Sequence, residues 1–121
     1  MLQAQVATLA TLGPDGRPQA TLLWFLAGED GSVSMSLNTS RQKVKNLQRN
    51  PACALVIVDP GNPYRYLEIR GDAQVAPDAD YSFAKKVGEK YGADLASFDR
   101  PGESRVKVTL RPVKVNAVTM R

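Results

Sequence analysis

Apolar and polar residues alternate with a period of two along much of this sequence, and this alternation restricts the fold more than any other feature. In "YRYLEIRGDAQV" (64–75) the aromatic and charged side chains at even positions point one way, while Leu67 and Ile69 point the other. "VSMSL" (33–37) and "RVKVTL" (105–110) alternate in the same way. Such segments are typical of β-strands that bury one face, so the sequence predicts a mainly β protein.

About six strands are predicted from these runs and from the turn residues between them: 6–12, 19–27, 33–37, 52–59, 64–75 and 105–118. Gly, Pro and Asp in "GPDGRP", "GEDGS" and "PGNP" favour turns between antiparallel strands. In the last strand Val106 and Val108 are expected on the buried face and Arg105 on the opposite face. Pro112 predicts a bulge or an edge position there, because proline cannot donate a ladder hydrogen bond.

Two helices are expected between the strands. The first lies within "LNTSRQKVKNLQRNP" (37–51), with Thr39 or Ser40 as N-cap and Pro51 closing it. The second starts at Pro77 or Asp78 and carries an apolar stripe at helical spacing, formed by Ala84, Val87, Tyr91 and Leu95. Hairpin-rich strands with helices inserted late favour an α+β, mainly β fold built on an antiparallel barrel, not a parallel α/β sheet.

Composition bounds the size and setting of the protein. At 121 residues, with 43% hydrophobic and 23% charged residues, the chain fits one globular domain over 1–121. No apolar run approaches the roughly 20 residues of a membrane span. The start, "MLQAQVATLATL", lacks the features of a secretion signal, so we expect a cytoplasmic protein without a membrane partner.

The sequence contains no histidine and one cysteine, Cys53. This removes histidine-based general bases and nucleophile pairs and the usual zinc and iron ligands, so no catalytic residue and no metal site are predicted. Cys53 lies in the apolar run "ACALVIVD" and is interpreted as a buried strand residue, not a reactive thiol. Six carboxylates at turns and caps are expected to be solvated, without an acid–base pair: Asp15, Glu29, Asp30, Asp72, Asp78 and Asp80. If the chain is an enzyme, a cofactor is expected to carry the chemistry.

A cluster of cations at the start of the first helix points to an anion. Arg41, Lys43 and Lys45 crowd its first turns, where the helix dipole and free N–H groups already place partial positive charge. A bound phosphate or carboxylate would offset the repulsion, with Arg41 and Lys43 reaching one anion and Asn46 about one turn further on. The net charge of +4 agrees with an anionic ligand. The alternative is a set of solvated side chains that repel one another weakly in water.

Other strand residues could line a pocket for a planar ring. Three of them are small or polar: Gln19, Ser34 and Ser36. They leave room beside the sheet and offer hydrogen bonds to the edge of a heterocycle, although an outward polar face explains them as well. Three aromatic residues could stack on such a ring, and alternatively fill the core or a subunit interface: Trp24, Tyr64 and Tyr66.

The order of these segments resembles the flavin and deazaflavin split-barrel oxidoreductases, the superfamily of pyridoxamine 5'-phosphate oxidase. "ATLATLGPDGRPQATLLWF" is similar to the family's opening hairpin, and "YRYLEIRGDAQV" to a later strand. "MSLNTSRQKVKNLQRNPACALVIVD" between them resembles its phosphate-binding segment, R-x-K-x-x-N-L-x-x-N/D-P. That segment is more similar to the branch that uses the deazaflavin coenzyme F420 than to the oxidase itself, whose pattern there reads more like S-R-K.

This resemblance implies a homodimeric split β-barrel with two cofactor sites at the subunit interface. The cofactor-binding residues that it implies are Arg41, Lys43, Asn46, Gln19, Ser36, Tyr64 and Tyr66. Arg41 and Lys43 would hold the cofactor phosphate, with Asn46 in support. Gln19 and Ser36 would lie beside the ring system, and Tyr64 and Tyr66 would come from the second subunit. Members usually carry a helix before the first strand, whereas the first strand predicted here begins at Val6, which is expected to leave the pocket more open.

The activity implied is that of an F420H2-dependent reductase, which transfers a hydride from the deazaflavin to an electron-poor small molecule such as an enone, a quinone-like ring or a tetrapyrrole. Such a transfer needs donor and acceptor held about 3–3.5 Å apart and no protein acid or base to start it. The alternatives are an FMN-binding oxidoreductase of the oxidase type and a non-catalytic protein that binds a cofactor or a haem-like ligand. A barrel that binds single-stranded nucleic acid is disfavoured, because the cations cluster at one helix end and do not track a groove.

Overall fold

The computed structural model describes residues 6–120, which form one sheet of seven antiparallel strands, two α-helices and one 3-10 helix. The strands are β1 (Ala7–Leu12), β2 (Pro18–Leu23), β3 (Leu26–Ala27), β4 (Val33–Asn38), β5 (Ala52–Asp59), β6 (Asn62–Pro77) and β7 (Arg105–Thr119). The helices are α1 (Gln42–Arg49) and α2 (Ser82–Tyr91), followed by the 3-10 helix Leu95–Phe98. The strand order in the sheet is β2-β1-β5-β6-β7-β4-β3.

The sheet curls around a single apolar core, as the alternation predicts. Leu9 of β1, Leu55 of β5 and Met35 of β4 are almost completely buried and belong to one cluster with Val108 of β7. Because β1 and β4 lie near opposite edges of the sheet, they can share a core only if the sheet bends round on itself. The mainly β, split-barrel prediction is therefore confirmed, with a seventh strand supplied by the two residues of β3.

Helix α1 starts later than the capping residues of the sequence suggest. Its N-cap is Arg41, which makes no side-chain capping hydrogen bond, so the predictions of Thr39 and Ser40 were wrong. The reason is a turn organised by Asn38, whose Oδ1 accepts the N–H of Ser40 at 2.8 Å and whose carbonyl accepts the N–H of Arg41 at 3.0 Å. This turn delays the first helical residue and leaves the cations at the helix entrance.

Helix α2 also starts later than predicted, at Ser82. The carboxylate of Asp78 accepts the N–H groups of Phe83 at 3.2 Å and Ala84 at 2.9 Å, and so satisfies the first turn from outside the helix. Asp78 is only 5% exposed, so the expectation that it is solvated was wrong. Between Asp78 and the start of α2, Tyr81 adopts a left-handed backbone conformation with φ of 60°, which is uncommon for a residue with a side chain.

The apolar stripe of α2 packs on the outer face of the sheet and forms a second, smaller core. Its buried members are Phe83, Ala84, Val87 and Leu95, with the side chains of Trp24 and Tyr91 packed against them. The predicted stripe is confirmed, although its last residue belongs to the 3-10 helix, because the left-handed Gly92 ends α2 first. Neither helix within 6–120 has the length and apolar character needed to cross a membrane.

The predicted strand 19–27 is interrupted between β2 and β3. Phe25 lies in the gap, where its N–H donates to Tyr91 Oη at 3.1 Å and its carbonyl accepts from Lys90 Nζ at 2.7 Å. Side chains of α2 thus replace the backbone partners that a continuous strand would offer. The interruption ties the last turn of α2 to the sheet.

The bulge predicted at Pro112 is confirmed. Arg70 pairs with Lys114 and Gly71 pairs with Pro112, so that Val113 is left unpaired on β7. A side chain at Gly71 would collide with the carbonyl of Arg111 on β7, which explains why glycine stands at this close approach.

Candidate functional site

An open cavity of about 350 Å³ lies on the outer face of the sheet, under α1, α2 and the 3-10 helix. Its lining residues are Leu22, Leu23, Trp24, Ser36, Leu37, Asn38, Arg41, Lys43, Val87, Leu95, Phe98 and Arg105. They provide an apolar wall, a polar floor and three cations, and no carboxylate is among these lining residues. A cavity of this size and mixed lining is typical of small-molecule and cofactor sites.

The predicted cation pair stands at the entrance of α1. The Lys43 ammonium is half-buried and donates to Thr21 Oγ1 of β2 at 3.2 Å, while Arg41 is exposed. Within residues 6–120 neither cation forms a salt bridge with a carboxylate. Burial lowers the pKa of Lys43 below its ordinary 10.5, and the charge of Arg41 lowers it further. The structure therefore keeps two like charges close together without an internal counterion.

The backbone of the same helix entrance adds hydrogen-bond donors. Because Arg41 makes no side-chain cap, the N–H groups of Gln42 and Lys43 have no acceptor among the described residues. Free N–H groups, the positive end of the helix dipole and two cations together form a site suited to a phosphate. An anion bound here would satisfy the donors and relieve the repulsion.

Asn46 supports this entrance from beneath. Its side chain is fully buried, and its amide nitrogen donates to Thr11 Oγ1 at 3.0 Å and to Gln19 Oε1 at 2.9 Å. Its amide oxygen accepts from Gln42 Nε2 at 2.9 Å. Both amide hydrogens are thus already used by protein partners. Asn46 joins α1 to β1 and β2 and thereby fixes where the cations stand.

A buried ion pair that sequence reasoning missed closes the other end of the cavity. The side chains of Arg105 and Asp99 are 8% and 6% exposed, with Nε lying 2.9 Å from Oδ2. Asp99 also accepts from Asn38 Nδ2 at 2.8 Å and from Tyr81 Oη at 2.7 Å. Burial by itself would raise the pKa of Asp99, but the hydrogen bonds from these three side chains outweigh it, and the pKa lies below 3.8.

Arg105 lies on the face of β7 opposite Val106, as the alternation predicts, but it is buried there for a tertiary reason. The 3-10 helix and the loop after it cover that face. Arg105 Nη1 then reaches Ser36 Oγ and the Ser36 carbonyl, both at 3.3 Å. The alternation along a strand predicts which residues share a face, but it does not predict which other segment covers that face. No pattern in the sequence marked Asp99 as its partner.

The apolar wall of the cavity is built around Trp24. Its indole stacks on the ring of Tyr91, with centroids 4.5 Å apart and an interplanar angle of 10°. Lys90 Nζ lies 4.1 Å from the centroid of the Phe25 ring, in a cation–π contact that holds α2 to the same corner. The wall is consequently anchored on its outer side by α2.

The structure brings only some of the predicted binding residues together. Arg41, Lys43 and Ser36 line the cavity, and Asn46 lies behind them. Gln19 is exposed and bonded to Asn46, outside the lining. The two remaining residues, Tyr64 and Tyr66, lie on β6 and do not line this cavity of their own chain. Their assignment to the pocket of a second subunit remains a prediction.

Two further predictions concern reactive groups. Cys53 is half-buried on β5, and burial raises the pKa of its thiol to about 11, with the charge of Asp72 adding to the effect. Little thiolate is present at neutral pH, which agrees with a packing role. Within residues 6–120 no three His, Cys, Asp or Glu side chains are grouped so as to hold a metal ion.

Comparison with known proteins assigns the chain to a family. The family model of pyridoxamine 5'-phosphate oxidase matches residues 1–119. The chain belongs to the pyridoxamine 5'-phosphate oxidase family. A comparison with curated protein sequences finds no significant match.

Solved structures support the family assignment. One named F420 reductase is 34% identical to this chain, covers 95% of it and 93% of its own length, and superposes with a TM-score of 0.80. A conserved hypothetical protein of Mycobacterium tuberculosis is 24% identical, covers 98% of this chain and 79% of its own length, and has a TM-score of 0.77. An FMN-binding protein from Nostoc punctiforme related to pyridoxamine 5'-phosphate oxidase is 19% identical, covers 98% of this chain and 76% of its own length, and has a TM-score of 0.71. The last two show a shared fold.

Proposed function

We propose that this chain binds the deazaflavin coenzyme F420 in the cavity and acts as an F420H2-dependent reductase of electron-poor acceptors such as an enone, a quinone-like ring or a tetrapyrrole. The observation that carries the proposal is the entrance of α1. There Arg41 and Lys43 stand beside free N–H groups, with no carboxylate partner in residues 6–120. A phosphate-bearing cofactor would supply the missing counterion.

Two findings favour the deazaflavin over FMN. The segment from Arg41 to Leu47 fits the R-x-K-x-x-N-L pattern that resembles the deazaflavin branch. The solved structure that is 34% identical and matches nearly the full length of both chains is named F420 reductase. FMN, which also carries a phosphate and a flat ring system, is the alternative cofactor.

The residues of the chain would bind and orient the cofactor. Arg41, Lys43 and the N–H groups of α1 would hold its phosphate, and Ser36 and Trp24 would lie against its ring. The bound cofactor would supply the hydride, so the protein needs no nucleophile of its own. The absence of histidine from the whole sequence agrees with this division of roles. The apolar side chains of the wall would keep water away from the reacting atoms.

We further propose a homodimer in which Tyr64 and Tyr66 reach the cavity of the partner subunit. The outer part of β6 and β7 exposes large apolar side chains, with Tyr64 59%, Val113 77% and Val115 53% exposed. Exposed apolar groups on two paired strands are typical of a surface that a second protein covers. Sedimentation tests this, since a monomer at micromolar concentration that binds cofactor at full strength would contradict a two-subunit site.

The function is tested by titrating the protein with F420 and with FMN and following the fluorescence of Trp24. It is the only tryptophan of the chain and lines the cavity, so a bound ring that absorbs its emission should quench it. Preference for F420 is expected, with affinity falling as salt rises because the polyglutamate tail brings additional carboxylates. Oxidation of F420H2 by an enone or a quinone, followed by absorbance, then tests turnover.

The matched variants are Lys43→Met and Lys45→Met. Lys43 lines the cavity, whereas Lys45 lies exposed on the same helix and does not. One charge-assisted hydrogen bond contributes roughly 1.5–3 kcal/mol, so the first variant should weaken binding about 10- to 150-fold and the second by less than about 2-fold. Equal affinities in both variants and the wild type would refute the phosphate site. Preference for FMN would favour the oxidase-type alternative, and binding without turnover would favour a non-catalytic protein.

A further inference from the structure

Arg105 is fixed in place by the protein before any ligand arrives. Its Nε donates to both carboxylate oxygens of Asp99, at 2.9 and 3.2 Å, and its Nη1 donates to Ser36. The residue is 8% exposed and begins β7, an interior strand of the sheet. A guanidinium held on two sides offers its remaining N–H groups in one direction only.

The Nη2 group is left without a protein partner among the described residues. Within residues 6–120, Arg105 Nη2 donates to no protein acceptor, and no buried side-chain nitrogen or oxygen lacks a partner. Nη2 is therefore reached by solvent, although the residue as a whole is more than nine-tenths buried. Arg105 lines the cavity described above and a smaller adjoining one of about 260 Å³, which shares Asn38, Arg41 and Phe98 with it.

The charge at this end of the cavity differs from that at the α1 entrance. Asp99 balances Arg105, whereas Arg41 and Lys43 have no carboxylate partner among the described residues. The α1 entrance is therefore suited to an anion, and the Arg105 end to a neutral hydrogen-bond acceptor. Leu95 and Phe98 beside Arg105 would contact the flat faces or edges of a ring.

We infer that Arg105 Nη2 donates a hydrogen bond to a carbonyl oxygen of a planar ring bound in the cavity. The inference deepens the proposed function, because it names the group that the cavity recognises beside the phosphate. Two sources offer this chemistry: a carbonyl of the cofactor ring and a carbonyl of the acceptor. Arg105 acts by binding and orientation, and in the second case it would also favour electron density moving to that oxygen when hydride adds to the conjugated carbon.

The test compares two probes with the same ring system, 2,3-dimethyl-1,4-naphthoquinone and 2,3-dimethylnaphthalene, binding to the protein without cofactor. Calorimetry measures both affinities in the wild type, in Arg105→Lys and in Arg111→Lys. Arg105→Lys keeps a cation beside Asp99 and removes Nη2, while Arg111 is an exposed residue of the same strand paired with Asp30 at the surface. Arg105→Lys should weaken quinone binding about 10-fold or more and change hydrocarbon binding by less than about 2-fold.

A second measurement needs no variant. Infrared spectroscopy with a carbonyl-labelled quinone should show a lower stretching frequency when the quinone is bound to the wild type than in an apolar solvent, because a charge-assisted hydrogen bond weakens the C=O bond. An unchanged frequency would overturn the inference. So would unchanged quinone affinity in a folded Arg105→Lys protein, or an equal loss for the quinone and the hydrocarbon.

Further titrations separate the two sources. Weaker F420 binding by Arg105→Lys would identify the cofactor carbonyl, whereas unchanged F420 binding together with weaker quinone binding in the F420-loaded protein would identify the acceptor carbonyl. Failure of the wild type to bind F420 or FMN would refute the proposed function, while the quinone and hydrocarbon pair would still decide the role of Arg105.

Discussion

Replacing Asn46 by alanine separates a support role from direct cofactor binding. Three side-chain hydrogen bonds would be lost, to Thr11, Gln19 and Gln42. Gln19 and Gln42 are exposed, so water replaces Asn46 at little cost, about 0.5 kcal/mol each. Thr11 is 2% exposed, and leaving its hydroxyl unpaired costs about 1–3 kcal/mol.

Alanine also gains a few tenths of a kcal/mol in helix propensity, so the net loss for Asn46→Ala should be about 1.5–3.5 kcal/mol. For a chain of 121 residues this corresponds to a fall in Tm of about 6–14 °C. Denaturant unfolding and calorimetry measure both quantities, with the exposed Gln48→Ala on the same helix as a control that should change stability by less than about 0.5 kcal/mol. An Asn46→Ala protein of unchanged stability that binds F420 poorly would refute the support role and make Asn46 a direct ligand.

Three further predictions concern stability. Asp99→Asn should destabilise the protein by about 2–4 kcal/mol at pH 7, because it leaves the Arg105 guanidinium without its buried partner. Since the pKa of folded Asp99 lies below 3.8, this difference in unfolding free energy should be complete at neutral pH and shrink as the pH falls below about 4. Lys43→Met should stabilise the cofactor-free protein by a few tenths of a kcal/mol at pH 7, and its advantage should vanish as the pH rises towards 10.5, because the folded state holds the Lys43 proton less tightly than the unfolded chain. Cys53→Ser should lower Tm modestly, by placing a hydroxyl in a partly apolar position, and should leave turnover unchanged; a large loss of activity in the folded variant would contradict a packing role.

Local patterns of the sequence predicted most of the architecture. Alternation in 64–75 and 105–118 located the two long strands, and Pro112 marked the bulge between them. The stripe that begins at Ala84 and Val87 located α2. These predictions held because each depends on neighbours along the chain, whose spacing fixes which side chains share a face.

Two of the errors arise where a side chain binds the backbone of another segment. The strand 19–27 is broken because Tyr91 and Lys90 of α2 bind the backbone of Phe25. Asp78 looked like a solvated turn residue until it was seen to accept the amides of α2. In both cases the hydrogen-bond partner lies on another element, and neither strand alternation nor helical spacing predicts such a partner.

The sequence by itself therefore determined the strand and helix pattern and the position of Arg41 and Lys43 at a helix entrance, because residue spacing is a local property. Only the tertiary structure decided what these cations face. It turned Asn46 into a support and buried Arg105 beside Asp99, six residues earlier in the chain. The physical reason is that burial depends on which segment covers a face, and at the cavity that cover is the 3-10 helix and loop folded back over β4 and β7.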